Sequence, residues 1–127
     1  MKFKVALPIY GFENEKEFEL EEINDTFYKL KGKNVNFTLI NPFKIKPDYD
    51  FEITDAEQKA LNLDENKNFL VLNIMTINEP FIESTINFAA PLIFNVTDKL
   101  VGQVILDKYP FSLIDPLKNY IKVESES

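Results

Sequence analysis

Seven carboxylates and one lysine stand between Glu13 and Asp25, and three of them, Glu17, Glu19 and Glu21, alternate with Phe18 and Leu20. Side chains two residues apart on an extended chain share a face, so these glutamates form a row. Two carboxylates can act as the acid and base of glycoside hydrolysis. With 21 Asp and Glu in the chain, however, proximity alone singles out no pair. Like charges along a strand repel modestly, and a partner's cations relieve that repulsion. The row therefore reads as an electrostatic docking face for a basic partner. The alternative is a solvated face, or charges that guard an edge strand against sticking.

Asn87, Phe88, Pro91 and Gln103 are the second group. They lie in two apolar runs, Ser84 to Asn95 and Gly102 to Asp107, separated by a polar turn around Thr97-Asp98-Lys99. Runs rich in Ile, Val and Phe and split by turn residues describe two adjacent strands. Amides inside such runs need hydrogen-bond partners or a binding surface. Pro91 has no N–H to give to a ladder, so its strand lies at a sheet edge or breaks there. An open edge with amides and a phenylalanine suits strand addition or helix docking. The alternative is a bulged strand whose amides satisfy local backbone.

Composition narrows the chemistry. The 127 residues include no Cys and no His, and all 14 basic residues are Lys. Thiolate nucleophiles, Cys-ligated zinc, the commonest general base and the guanidinium fork are absent together. Enzymatic activity is not expected, and neither is a cofactor or bound metal. The alternation Asp48-Tyr49-Asp50-Phe51-Glu52 hints at a calcium loop but has Ile53 where that loop needs its turn glycine. Gly11, Gly32 and Gly102 lie too far apart to cradle a phosphate. A formal net charge of −7 opposes nucleic acid and favours a basic protein partner. Lys2 and Lys4 interrupt the start of the chain and no run reaches membrane-span length, so a cytoplasmic protein is expected.

Period-two alternation must position these groups. Phe3, Val5 and Leu7 oppose Lys2 and Lys4 in a strand ended by Pro8 and Gly11. Phe27 to Leu30 and Val35 to Ile40 form a hairpin across Lys31-Gly32-Lys33-Asn34. Phe69 to Ile77 is a longer run, expected to be an inner strand covered on both faces. Thr54-Asp55-Ala56-Glu57 has capping-box form and starts one short helix, with Ala56, Ala60 and Leu61 on its apolar side and Asn62 as its stop. Asp115 to Tyr120 is expected to form a last helical turn, before a loose tail from about residue 122. With no repeat or long linker, residues 1–127 read as one domain. Its class is all-β: an antiparallel barrel-like or two-sheet architecture with one short helix, whose core the twelve Phe residues are ample to fill.

Pro8-Ile9-Tyr10-Gly11-Phe12-Glu13, Asn41-Pro42-Phe43, Pro47-Asp48-Tyr49 and, most specifically, Thr85 to Asn95 with Gly102 to Asp107 resemble the flagellar assembly factor FliW family over nearly the whole chain. Members often have Leu-Gln-Ser where Leu30-Lys31-Gly32 stands here, and Leu-Lys or Leu-Arg where Phe88-Ala89 stands. The resemblance implies a non-catalytic β-barrel-like protein with two partners, newly made flagellin and the RNA-binding translational regulator CsrA. Antagonising CsrA would couple flagellin translation to filament assembly. On this reading Glu17, Glu19, Glu21, Asn87, Phe88, Pro91 and Gln103 are partner-binding residues. Changing the three glutamates together to Lys is expected to weaken regulator binding and leave the fold intact. Two other classes stay open: a barrel holding a small apolar ligand in its interior, and a two-carboxylate hydrolase.

Overall fold

A computed structural model describes residues 1–121, so the tail from about residue 122 lies outside the described residues. The strands are β1 (Lys2–Leu7), β2 (Glu17–Glu22), β3 (Phe27–Lys31), β4 (Asn36–Ile40), β5 (Phe69–Thr76), β6 (Thr85–Ile86), β7 (Leu92–Asn95), β8 (Leu100–Gln103) and β9 (Asp115–Pro116). Their order is β4-β3-β2-β1-β8-β7-β5-β6-β9, and an added β4–β5 pairing closes seven of them into a barrel. The two-residue strands β6 and β9 extend it. Eight of the nine pairings are antiparallel. The exception is β1–β8, which runs parallel and joins the first and last barrel strands in chain order (Lys4↔Leu100, Val5↔Val101). A parallel pair needs a long crossover rather than a hairpin, and no local pattern announces one.

The interior is filled by the inward parity of every barrel strand: Phe3, Phe18, Leu30, Leu39, Leu72, Leu92, Phe94 and Val101, all buried, with Ile9 among them. Phe3 meets Phe94 edge to face at 5.0 Å. Each such side chain contributes about 1.5–3 kcal/mol by leaving water. The barrel axis is thus occupied by protein, and the apolar ligand that the interior-cavity reading needs has no room there.

A second core lies outside the barrel. Ile40, Val71, Met75 and Ile93, of opposite parity to the interior set, pack against Tyr49 and Leu61 from residues 42–68 and Val104, Leu106 and Leu117 from the C-terminal segment. This outer layer explains why β5 is apolar along most of its length, as its unbroken run suggests: Val71, Leu72 and Asn73 are all buried. Helix α1 (Asp55–Ala60) belongs to that layer. Thr54 Oγ1 accepts from the Glu57 N–H while Glu57 Oε1 accepts from the Thr54 N–H, the reciprocal cap read from sequence. Asn62, at φ 54°, ends it in the left-handed conformation that Asn tolerates. The expected last helical turn is a short 3₁₀ turn, Leu117–Asn119.

Asp98 ties the β7–β8 turn to this layer by accepting from Asn62 Nδ2 at 2.8 Å, Lys67 Nζ at 2.6 Å and Asn95 Nδ2 at 3.0 Å. The Lys67 hydrogen bond, aided by the two amides, holds the Asp98 carboxyl below the usual carboxylate range. A group with a depressed folded pKa stabilises the fold above its unfolded value, and that contribution is lost as pH falls through the folded one. Asp98→Asn is therefore expected to give a flatter acid limb in urea midpoint against pH. An unchanged acid limb would mean the turn is held by other contacts.

Candidate functional site

The glutamate row is exposed on β2, but β2 is not an edge strand, since β1 and β3 flank it. The edge-guarding reading therefore does not apply. Register sets lysines on both sides of the row: Lys4↔Glu17 and Lys2↔Glu19 from β1, and Glu19↔Lys31 and Glu21↔Lys29 from β3. Lys31 Nζ lies 3.0 Å from Glu21, Lys2 Nζ lies 4.0 Å from Glu17, and the Met1 amino group pairs with Glu19. That amino group is the main reason the Glu19 carboxyl sits below its ordinary value. Three carboxylates thus face four lysines and the Met1 amino group, and the face is a mixed-charge lattice instead of an acidic stripe. This changes one expectation. With Glu17, Glu19 and Glu21 all changed to Lys, seven lysines would share one face, and like charges directly opposite destabilise a sheet. The triple variant is now expected to show a lower urea midpoint than a triple Gln variant; equal midpoints would show the lattice to be without energetic effect.

The second group does come together. β6 and β7 both pair with β5, through Met75↔Ile86 and Leu72↔Leu92. The run from Ser84 to Asn95 is therefore one strand interrupted by an excursion over residues 87–91. Asn73, in the middle of β5, faces that gap: its Nδ2 donates to the Asn87 carbonyl at 2.8 Å and to Tyr49 Oη at 3.2 Å. Tyr49 donates in turn to the Phe88 carbonyl at 2.6 Å, and burial pushes its phenol up to about 12. Asn87 N–H donates to Ile74 O, and its side-chain carbonyl accepts from Ala90 N–H.

The backbone around Pro91 is also paired: Leu106 N–H donates to Ala89 O and Val104 N–H to Pro91 O. Gln103 Nε2 donates to Ala90 O at 3.1 Å, while its Oε1 accepts from Tyr10 N–H at 2.7 Å. Two expectations are corrected here. Pro91 breaks its strand rather than lying on an edge, because β7 has neighbours on both sides, and the open backbone for strand addition is already taken. Phe88 is fully buried against Tyr49 and Tyr120, so it cannot touch a partner directly. Asn87 follows the bulged-strand alternative, its side chain spent on the nearby Ala90 N–H, whereas Gln103 bridges backbone groups distant in the chain, Tyr10 and Ala90.

What this corner builds is a groove. Ile9, Met75 and Ala90 lie low in it beside Asn87 and Gln103, and Tyr10, Phe12, Ile105 and Leu113 border a space of about 490 Å³. These four are 75, 39, 54 and 62% exposed. A single exposed apolar residue means little, but a clustered set rimming a concavity marks an interaction surface. The turn that presents Tyr10 is fixed by three contacts: Tyr10 N–H on Gln103, Gly11 N–H on Glu13 and Phe12 N–H on the Ile9 carbonyl. Gly11 has φ +87°, a region that disfavours any side chain. Phe12 leans edge-on against Phe37 at 5.1 Å. Glu17 and Glu19 line a different recess with Lys2 and Lys31, so the two sequence-derived groups do not share a site. Tyr10, Phe12, Ile105 and Leu113 escaped a reading based on strands. Two aromatics bracketing a turn glycine were the available signal, since turns seldom spend such residues without a contact to make.

Among the described residues, no group of three or more Asp and Glu is placed to hold a metal ion, and no helix is long and apolar enough to cross a membrane.

The comparisons with known proteins agree with this geometry. The family model described as FliW protein matches residues 1–117. The flagellar assembly factor FliW of Sulfurimonas denitrificans is 43% identical over 126 residues, covering 96% of this chain and 99% of that relative. That of Campylobacter lari is 47% identical over 115 residues, covering 87% and 88%. FliW 2 of Wolinella succinogenes is 44% identical over 131 residues, covering 98% and 96%. A crystal structure of the flagellar assembly factor FliW superposes with a TM-score of 0.84 at 29% identity, covering 91% of this chain and 84% of that one. Barrel, corner and sequence together place the chain in the flagellar assembly factor FliW family.

Proposed function

We propose that this chain is a cytoplasmic, non-enzymatic, single-domain binding protein that takes flagellin and the translational regulator CsrA in alternation. Flagellin export frees it to capture and antagonise the regulator, so that flagellin synthesis follows filament assembly. The observation that carries the reading is the groove bordered by Tyr10, Phe12, Ile105 and Leu113, an apolar concavity held by backbone hydrogen bonds on a packed barrel. Such a surface suits an amphipathic segment laid into a groove, and here flagellin occupies it. Asn87 and Gln103 contribute by fixing its walls, and Phe88 and Pro91 by holding the corner from within. Glu17, Glu19 and Glu21, set among their lysines, meet the regulator by exchanging these ion pairs for pairs across the interface, which fixes register more than it adds affinity. No step needs nucleic acid, a membrane or a cofactor.

Alternation is a coupling between two binding events, and coupling is reciprocal. The test is co-purification of the protein with each partner, followed by titration of the other. Flagellin added to the regulator complex should release the regulator, and the reverse titration should show the same coupling. Undiminished simultaneous binding of both would refute the exchange.

A further inference from the structure

A second concavity lies in the outer layer. Phe43, Phe51, Ile53, Leu63 and Phe69 line a cleft of about 420 Å³ that opens to solvent, with Asp50, Asp64 and Glu65 among its walls. Phe69, at the start of β5, is 62% exposed and Phe43 is 43% exposed, although both are large apolar side chains. Neither is needed to fill the barrel, whose interior set is complete without them. The segment that walls the cleft is acidic. From Asp48 to Glu65 the sequence carries seven carboxylates and only Lys59 as a cation. Among the described residues Asp50, Glu52, Asp55 and Glu65 have no ion pair, whereas every glutamate of the β2 row has a cation within 4.0 Å.

We infer that this cleft is a second docking site, taking a polypeptide segment in which an apolar side chain is flanked by lysine or arginine. The apolar residue would lie against Phe69, Phe51 and Ile53, and its cationic neighbours would meet Asp50 and Glu65. Charge complementarity selects this occupant. An acidic rim repels nucleic-acid phosphate and anionic lipid, and unpaired carboxylates beside an aromatic floor favour cations with an apolar partner. Charge that is free in the unbound protein, unlike the neutralised β2 lattice, is available to steer association. The inference rests on reading the chain as a protein-binding module, but it concerns a separate surface from the groove.

The probe is a fluorescein-labelled peptide alternating lysine and leucine, read by anisotropy, with a glutamate–leucine peptide of equal length as control. The lysine peptide should bind, the glutamate peptide should not, and added salt should weaken binding. Phe69→Ala and the pair Asp50→Asn with Glu65→Gln should each weaken binding by about tenfold, the effect of losing one good contact. The control pair Glu79→Gln with Glu83→Gln, two exposed carboxylates outside the cleft, should bind as the parent does. Exposure of all these side chains keeps the thermal midpoint unchanged, which shows each variant is folded.

The inference is overturned if the cleft variants bind normally, or if the Glu79 and Glu83 control loses as much as they do, since binding would then follow total charge. It is also overturned if the protein dimerises in a Phe69-dependent manner, which would make a second copy the occupant, or if a fatty acid raises the thermal midpoint only when Phe69 is present. Because flagellin exchange at the groove is measured separately, failure here leaves the proposed function standing, and the reverse also holds.

Discussion

Replacing Gly102 by valine is expected to lower the free energy of unfolding by about 3 kcal/mol, at the upper end of what overpacking usually costs. A Cβ at this position would lie 2.6 Å from Leu7 Cβ and 3.1 Å from the Leu7 backbone nitrogen. Neither atom can swing away, because Leu7 and Gly102 are paired in the parallel β1–β8 contact, next to a break in its register. Main chain must move, and this pair joins the first and last barrel strands in chain order. The domain's whole stability is of order 5–15 kcal/mol, so the loss is a large fraction of it. Gly102→Ala should cost less, about 1–2 kcal/mol, since one carbon is added instead of three. Urea unfolding gives the numbers, and hydrogen exchange should speed up at the β1 amides in both variants. Lys29→Ala, exposed on β3, is the control and should stay within about 0.5 kcal/mol of the parent. A parent-like midpoint for the valine variant would show that β1 and β8 are not in such close contact.

The same contact shows where sequence reading stops. Alternation in β1, β2 and the β3–β4 hairpin is legible because each strand has one buried and one wet face, and period two is local information. The unbroken run in β5 is legible too, since a strand covered on both faces has no polar parity. The pairing of Lys4 with Leu100 leaves no such trace: nothing near either residue encodes the other. The excursion over residues 87–91 is half legible. Pro91 signals the break, but Phe88 is held by Tyr49 and Ser112, which belong to distant loops. Phe88 therefore looks like an exposed edge residue until the outer layer is placed over it.

The glutamate row teaches a different lesson, because its correction was available earlier. Lys2 and Lys4 share a parity in β1, and Lys29 and Lys31 share one in β3. Once neighbouring strands pair in sequence order, those four ammonium groups must fall beside Glu17, Glu19 and Glu21, on the same face. Charge on a sheet belongs to the face and not to the strand. Asp50, Glu52, Asp55 and Glu65 instead lie in a loop and helix where no cross-strand register imposes a partner, and among the described residues they have no ion pair.

Combining Tyr10→Ala with Leu113→Ala should weaken flagellin binding by at least about 30-fold, the effect of losing roughly 2 kcal/mol from a hot spot. Both side chains are largely in water in the free protein, so unfolding free energy should stay within about 0.5 kcal/mol of the parent. Gln103→Ala separates the surface from its support. It removes the acceptor for the half-buried Tyr10 N–H and the donor to the buried Ala90 O, leaving a buried carbonyl unpaired, which costs about 1–3 kcal/mol of stability. It should also weaken binding, because Tyr10 is no longer held at the rim. Pro91→Ala acts inside the corner and should shift stability more than affinity. Titration calorimetry with flagellin, alongside urea midpoints for the same proteins, distinguishes these patterns. If the Tyr10 and Leu113 double variant binds flagellin as tightly as the parent, the groove is not the docking surface. A loss confined to Gln103→Ala, and proportional to its loss of stability, would point to global loosening instead of a contact.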